Sequence, residues 1–140
     1  MANVITYGTF DLFHIGHLRL LERAKRLAGP HGTLTVVVSS DKFNREEKHK
    51  LCAIPDVQRA EIVGALRCVD RVLMETSWDQ KRKDIVEHHI DIFVMGDDWK
   101  GRFDDLTDLC KVVYLPRTPD ISSSGLKNDL REEHPLKESI

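Results

Sequence analysis

Residues 4–17 read VITYGTFDLFHIGH, and the prediction of the fold starts from this stretch. Its first four residues are β-branched or aromatic, which favours a buried strand. Gly8 then permits a close approach of the backbone to a ligand, and His14 and His17 follow three residues apart. Residues at i and i+3 share one face of a helix. The stretch therefore predicts a strand, a polar turn and a helix start at which both imidazoles point the same way.

Outward from this stretch, short apolar runs alternate with helical patterns, and the charged segment 41–50 between them predicts a loop. Strands are predicted at 4–7, 34–38, 69–74, 90–95 and 112–115, and helical patterns at 20–28, 55–66, 78–89, 102–109 and 122–133. Strands separated by helices imply right-handed βαβ crossovers. We therefore expect an α/β fold, a doubly wound Rossmann-like sheet of five parallel strands with helices on both faces.

The composition is that of a soluble globular protein, with 140 residues, 41% hydrophobic and 31% charged. We expect one domain over residues 1–133 and a C-terminal tail over 134–140. The net charge of -2 gives no general attraction to nucleic acid or to a membrane surface, so neither is expected as a partner. The N-terminus lacks the pattern of a signal peptide, and the three cysteines are scattered, which together favour the cytoplasm.

Polar segments follow three of the predicted strands, at 8–11, 96–99 and 116–118. In a doubly wound sheet, ligands bind beyond the carboxyl ends of the strands. The helix that starts near the two histidines presents unpaired N–H groups there, which suit a phosphate, and Gly16 keeps that approach open. Two other interpretations of the histidine pair are a zinc site and a structural role without chemistry. The zinc site lacks both an H-E-x-x-H motif and a third ligand at a suitable spacing.

The run G-T-F-D followed by H-x-G-H resembles the nucleotidyltransferase superfamily, which activates alcohol phosphates, pantetheine phosphate, nicotinamide mononucleotide and flavin. Residues 78–81, 93–99 and 114–118 are similar to the bacterial glycerol-3-phosphate cytidylyltransferases, and the resemblance extends to about Lys127. It implies that an oxygen of glycerol 3-phosphate attacks the α-phosphorus of CTP in line, giving CDP-glycerol and pyrophosphate without a covalent enzyme intermediate. Mg²⁺ is expected to accompany CTP, with no metal held permanently by the protein.

The resemblance also implies the site residues. The catalytic residues would be His14, His17, Arg117 and a lysine of the charged loop, with Lys50 preferred to Lys48. The nucleotide site would comprise Gly8, Thr9, Phe10, His14, Gly16, His17, Asp98, Arg117, Thr118, Ile121, Ser122 and Ser123. The acceptor site would comprise Asp11, Arg59, Arg67, Trp78 and Lys81. Arg59 and Arg67 are expected on one helix, eight residues apart and facing the same side.

Several of these residues have a simpler alternative that the sequence leaves open. Asp11 is also suited to capping a turn, Asp98 to forming one, and Trp78 to packing. Arg59 is suited to a surface ion pair, and Lys48 to a solvated run of charges.

Pro119 and Asp120 depart from the family pattern, because they stand where the family has glutamate and glycine. This departure leaves the acceptor open between glycerol 3-phosphate and an amino-acid, sugar or polyol phosphate. An adenylyltransferase of the same superfamily and a non-catalytic nucleotide-binding module are also left as alternatives. Family resemblance further implies a homodimer, and a CDP-glycerol product would suit the biosynthesis of a cell-surface polysaccharide.

Overall fold

The structure is a computed structural model, and it describes residues 1–116. The strands are β1 (Asn3–Gly8), β2 (Thr33–Ser39), β3 (Arg71–Glu75), β4 (Ile92–Gly96) and β5 (Lys111–Leu115). The helices are α1 (Ile15–Ala28), α2 (Asp41–Glu47), α3 (Asp56–Gly64) and α4 (Gln80–Glu87), with 3-10 turns at Asp97–Trp99 and Asp104–Asp108. Within these residues, no helix is both long enough and apolar enough to cross a membrane.

The five strands form one sheet in the order β3-β2-β1-β4-β5, and every neighbouring pair is parallel. The chain runs outward from β1 through β2 to β3 and then returns to add β4 on the other side of β1. The strand order therefore reverses beside β1, where Val4 pairs with both Leu34 and Ile92. Ligands of doubly wound folds bind at such a reversal. The predicted fold class is confirmed.

Helices cover both faces of the sheet because its central strands are apolar on both sides. On one face, Leu21 of α1 and Val63 of α3 join a buried cluster with strand residues such as Val36. On the other, Ile85 of α4 packs with Phe93 in a second cluster. Since both ends of each crossover are fixed by these clusters, the turns at the carboxyl edge of the sheet are held in place.

The segment 41–50, predicted as a loop, contains α2 instead. The Ser40 hydroxyl caps this helix by accepting a hydrogen bond from the N–H of Phe43 at 3.1 Å. Phe43 and Asn44 are buried, so the short helix is held by tertiary contacts despite its many charges. The predicted helix at 102–109 is a 3-10 turn at Asp104–Asp108. The predicted helix at 122–133 and the boundary between residues 133 and 134 lie outside the described residues.

Candidate active site

His14 and His17 stand side by side at the start of α1, beyond the carboxyl end of β1. His14 is the N-cap, and its Nδ1 accepts a hydrogen bond from the N–H of Gly16 at 3.0 Å. The Nδ1 atom of His17 accepts in turn from the N–H of His14 at 3.2 Å. The two rings stack with their centroids 3.8 Å apart. Reciprocal capping thus holds both imidazoles rigidly at the helix end where N–H groups favour an anion.

The capping bonds also decide which nitrogen of each ring carries hydrogen. Because Nδ1 accepts a backbone N–H in both rings, the neutral form of each has its hydrogen on Nε2. Burial lowers the pKa of His14. Burial, and to a smaller extent the neighbouring His14, lower the pKa of His17 to about 4, against a smaller opposing effect of Asp11. Both rings are therefore neutral donors at pH 7 rather than cations.

The Nε2 atom of His14 is the clearest sign of a ligand at this place. It is buried and has no hydrogen-bond partner among residues 1–116. A buried donor without a partner costs free energy, and in native proteins such groups are rare. A polar group of a substrate would satisfy it, and a phosphate oxygen is the acceptor that a helix N-terminus favours.

The ammonium group of Lys81 is enclosed by three aromatic rings. Its Nζ is 4.7 Å from the ring centroid of Tyr7, 4.9 Å from Trp78 and 5.3 Å from Phe103. It also donates to the Glu75 carboxylate, with which it forms an ion pair that is almost wholly buried. The pair and the rings together stabilise a charge that burial alone would disfavour.

Lys48 also lies near the Trp78 indole. Its Nζ is 5.5 Å from the ring centroid of Phe43 and 6.0 Å from that of Trp78. Burial lowers the pKa of Lys48 to about 8; Glu75 acts against this shift, and Lys50 and Lys81 add to it. Lys48, which is half-buried, and Trp78, which is 39% exposed, therefore form a cationic, aromatic surface next to the buried Lys81.

The Asp11 carboxylate holds the loop before α3 by accepting hydrogen bonds from its backbone. Its Oδ2 accepts from the N–H of Ala53 at 2.8 Å, and its Oδ1 accepts from the N–H groups of Ile54 and Leu12 at 3.0 and 3.1 Å. The side chain is buried. The carboxylate therefore caps backbone N–H groups from two segments, which agrees with the turn-capping alternative. Contact between Asp11 and the acceptor stays a prediction.

Arg59 is buried beneath the site, with 1% of its surface exposed. Its guanidinium donates to the carbonyl oxygens of Ile54, Thr9 and Ser39 at 2.8, 2.7 and 2.9 Å, and to the Asp41 carboxylate at 2.6 Å. It thus ties together the turn after β1, the end of β2 and the loop before α3. Arg59 does form an ion pair, as that alternative expected, but its guanidinium is buried while the Asp41 side chain is 36% exposed. Contact between Arg59 and the acceptor stays a prediction.

Asp84, Glu87 and His88 are close enough together to hold a metal ion. Asp84, however, accepts a hydrogen bond from the Tyr7 hydroxyl at 2.6 Å, and His88 contacts the Arg71 guanidinium. Glu87 and His88 are at the C-terminal end of α4, toward the opposite edge of the sheet from the stacked imidazoles. The group is therefore separate from the candidate active site.

The model of the cytidylyltransferase-like family matches residues 5–134, which is most of the chain. The chain belongs to that family. It is 50% identical to the glycerol-3-phosphate cytidylyltransferase of Bacillus subtilis, over 93% of this chain and 98% of that protein. It is 45% identical to the Staphylococcus aureus protein of the same name, over 93% of this chain and 96% of that protein.

Among solved structures, the cytidylyltransferase-like chain is similar to a lipopolysaccharide core biosynthesis protein from Thermoplasma volcanium. The TM-score is 0.70 and the identity 28%, over 84% of this chain and 98% of that one. The similarity supports the same nucleotidyltransferase-like arrangement of strands and helices.

The structure brings Lys48, and not the preferred Lys50, to the aromatic surface. α2 ends at Glu47, and Lys48 is its C-cap, so the lysine side chain continues beside Phe43. Lys50 is exposed. The choice between them depends on α2, which the sequence did not reveal. Geometry favours Lys48, although the catalytic role of either lysine stays a prediction.

Arg67 does not share a helix face with Arg59, and this expectation is wrong. α3 ends at Gly64, so Arg67 lies beyond it, exposed, just before β3 begins. The amino ends of parallel strands lie at the edge opposite the carboxyl ends. Within one chain, Arg67 is therefore on the far side of the sheet from His14 and His17.

The predicted nucleotide-site residues after β1 lie close together. The Thr9 hydroxyl is 3.0 Å from that of Ser39, and Phe10 is buried with its ring edge toward His17, at 5.4 Å between centroids. Gly8 is required here, because a Cβ at this position would come within 2.8 Å of the Phe10 ring. Phe10 thus supports the His17 imidazole from below, and its contact with nucleotide stays a prediction.

Asp98 is exposed in the 3-10 turn directly after β4, at the same edge of the sheet. Five further residues of the predicted site lie outside the described residues: Arg117, Thr118, Ile121, Ser122 and Ser123.

Glu75 was not among the residues predicted from the sequence. It is the last residue of β3 and has 1% of its surface exposed. An acidic residue that directly follows an apolar strand segment, at the edge where ligands bind, was the available signal.

Proposed function

We propose that this protein transfers the CMP part of CTP to glycerol 3-phosphate, giving CDP-glycerol and pyrophosphate. The observation that carries this proposal is the 50% identity to a glycerol-3-phosphate cytidylyltransferase over 98% of that protein's length. The paired imidazoles and the two lysines beside an indole support it, because they suit a reaction between two phosphate compounds.

The histidines would act on the triphosphate as hydrogen-bond donors. In the proposed reaction, an oxygen of the acceptor phosphate forms a bond to the α-phosphorus of CTP, and the bond from that phosphorus to the departing pyrophosphate breaks. Negative charge grows on the bridging and leaving oxygens. The Nε2–H groups of His14 and His17, oriented by their caps, would donate to these oxygens. Each such donor contributes roughly 10²–10³ in rate in comparable sites.

The lysine pair would bind the acceptor. Lys48 and Lys81 both lie near the Trp78 indole, and a phosphate that reached both ammonium groups would gain two charge-assisted contacts. The indole offers an apolar surface to the carbon skeleton of a small alcohol.

Mg²⁺ would enter with CTP. The carboxylate nearest to the histidines in sequence, that of Asp11, already accepts three backbone hydrogen bonds. This donor set suits an ion carried mainly by triphosphate oxygens and water, as Mg²⁺ commonly is. The ion would neutralise phosphate charge, while the residues described above orient the two substrates.

We further propose that the protein acts in the cytoplasm as a homodimer and supplies an activated polyol phosphate for a cell-surface polysaccharide. The cytoplasm is where CTP is available, and the scattered cysteines suit it.

A panel of substrates tests the function. Pyrophosphate release is measured with CTP or ATP and Mg²⁺, combined with glycerol 3-phosphate, phosphocholine, ribitol 5-phosphate or no acceptor. We expect pyrophosphate release with CTP and glycerol 3-phosphate to be much faster than with any other combination of nucleotide and acceptor. Strong release with another acceptor would correct the substrate, preference for ATP would correct the nucleotide, and CTP binding without release would indicate a non-catalytic module.

A further inference from the structure

Glu75 and Lys81 form the most deeply buried ion pair among residues 1–116, and the pair lies at the edge of the candidate site. Glu75 has 1% of its surface exposed and Lys81 has 5%. Glu75 belongs to β3, pairs in register with Ser39 of β2, and accepts the N–H of Ser40 through its carbonyl oxygen. The carboxylate is therefore attached to a rigid part of the sheet, whereas Lys81 reaches it through a long side chain from α4.

The pair is unusual because it faces a surface that already contains a second lysine. Lys48 has no ion pair within the described part of the chain, and Glu75 is the acidic residue that raises its pKa most, against the effect of burial. The Glu75 carboxylate compensates the buried ammonium of Lys81. It can in addition fix the direction in which that ammonium points, which the charge of a phosphate site alone would not require.

We propose that Glu75 is a positioning residue for the acceptor: it holds the Lys81 ammonium at a fixed place and orientation, so that Lys81 can donate to the acceptor phosphate. This inference rests on the proposed function, to which it adds a residue that does not itself touch substrate. Within residues 1–116, Lys81 donates one hydrogen bond, to Glu75. An ammonium has three donors, so the pair leaves two for a phosphate.

The aromatic rings alone would not fix the ammonium in this way. Tyr7, Trp78 and Phe103 attract a cation over a broad surface, with centroid distances of 4.7 to 5.3 Å, but they impose little direction. A hydrogen bond to an ionised acceptor is both short and directional. Glu75 therefore supplies the orientation, and the rings supply the low-polarity surroundings that strengthen it.

The proposal makes a prediction opposite to that of simple electrostatics. Replacing Glu75 by glutamine removes a negative charge near an anion, which by charge alone would tighten binding. If Glu75 acts by positioning, Glu75→Gln weakens acceptor binding about tenfold, because one charge-assisted orienting bond is lost. The KM for CTP changes little, since the histidine pair is untouched. Glu75→Asp keeps the carboxylate one methylene farther back and restores part of the affinity.

Two measurements on the full chain decide the proposal. The first is the KM for glycerol 3-phosphate and for CTP in the wild type and in Glu75→Gln, Lys81→Met and the double variant. Since Glu75 acts through Lys81, its substitution adds no further rise in acceptor KM once Lys81 is methionine. The second is titration with glycerol 3-phosphate alone, followed by the lysine ammonium signals in NMR, which needs neither CTP nor turnover.

Asp70→Asn is the matched control, because it removes another carboxylate that pairs with a lysine, Lys25, just before β3 begins and so at the opposite edge of the sheet from Glu75. It is expected to lower thermal stability while leaving the ratio of the two KM values as in the wild type. An equal or tighter acceptor affinity in Glu75→Gln, additive effects in the double variant, or no binding of glycerol 3-phosphate by the wild type would each overturn the proposal. A wild type that binds glycerol 3-phosphate but releases no pyrophosphate overturns the proposed function instead, and the titration then still decides the role of Glu75.

Discussion

The imidazoles of His14 and His17 stack at 3.8 Å, and a backbone N–H of the same helical turn bonds to Nδ1 of each. This relationship turns two ordinary side chains into a pair of Nε2–H donors with fixed directions. It requires only a histidine at the N-cap and another three residues later, which is the spacing of a capping box. The motif therefore builds its own geometry locally, and the sheet places it at the reversal of strand order.

Substitution of the second histidine tests the role of these donors. His17→Ala should lower kcat roughly 10²–10³-fold, because the Nε2–H group is needed most as charge develops on the phosphate oxygens. CTP affinity should change much less. Single-turnover rates and calorimetric titration with CTP measure the two quantities. A variant whose CTP affinity fell as far as its rate would indicate binding of the ground state instead.

The lowered pKa of His17 predicts a loss of stability in acid. Its pKa is about 4 in the folded protein and near 6.5 when unfolded, so the unfolded chain binds more protons between these values. The free energy of unfolding should therefore fall as the pH is lowered through that window, by roughly 2–3 kcal/mol from this residue. Denaturant unfolding of the wild type and His17→Ala at pH 7 and pH 4.5 isolates the contribution. Parallel decreases in both proteins would show that His17 is not the source.

Lys48 should make acceptor binding depend on pH in the alkaline range. Its pKa of about 8 means that the ammonium loses its proton as the pH rises through 8, whereas a bound phosphate requires the charged form. The KM for glycerol 3-phosphate should rise up to about tenfold per pH unit above 8 in the wild type. Lys48→Arg, which stays charged, should flatten this rise.

Two matched variants complete that test. Lys42→Arg, at an exposed position of α2, should keep the wild-type profile. If Lys50→Arg flattened the profile and Lys48→Arg did not, the assignment to Lys48 would be wrong.

Substitution of Arg59 should lower the free energy of unfolding more than substitution of a residue in an exposed ion pair. Arg59→Ala removes four hydrogen bonds, leaves buried carbonyl groups unsatisfied and should cost about 3–5 kcal/mol of unfolding free energy. Arg19→Ala, which breaks an exposed pair with Glu22, should cost under about 1 kcal/mol. Urea denaturation compares them. Similar losses in both would mean that the buried bonds contribute little.

The strands of the sheet and the position of the histidines at its carboxyl edge could be predicted because each depends on a short segment of sequence. β-branched runs separated by helical patterns predicted all five strands, and the position of the histidines after β1 followed from the spacing of the motif. The charged segment containing α2 was misassigned because its stability comes from burial of Phe43 and Asn44 against distant parts of the chain.

The polar contacts of the site were less predictable because their partners come from separate segments. Arg59 and Asp41 meet only after α2 and α3 have packed, and no spacing in the sequence indicates their pair. Arg67 was misplaced because α3 ends at Gly64, earlier than its apolar pattern suggested. Glu75 was missed because its importance depends on Lys81, six residues later on another element.

Transfer of CMP to an alcohol phosphate can be followed by ³¹P NMR of the reacting mixture, in which both substrates and both products are seen at once. With CTP, Mg²⁺ and glycerol 3-phosphate, we predict that the triphosphate and monoester signals decrease together while those of a diphosphate diester and of pyrophosphate appear in equal amounts. If the glycerol 3-phosphate signal persisted while CTP was consumed, or if no signal changed in the presence of intact folded protein, the protein would not be transferring CMP to glycerol 3-phosphate.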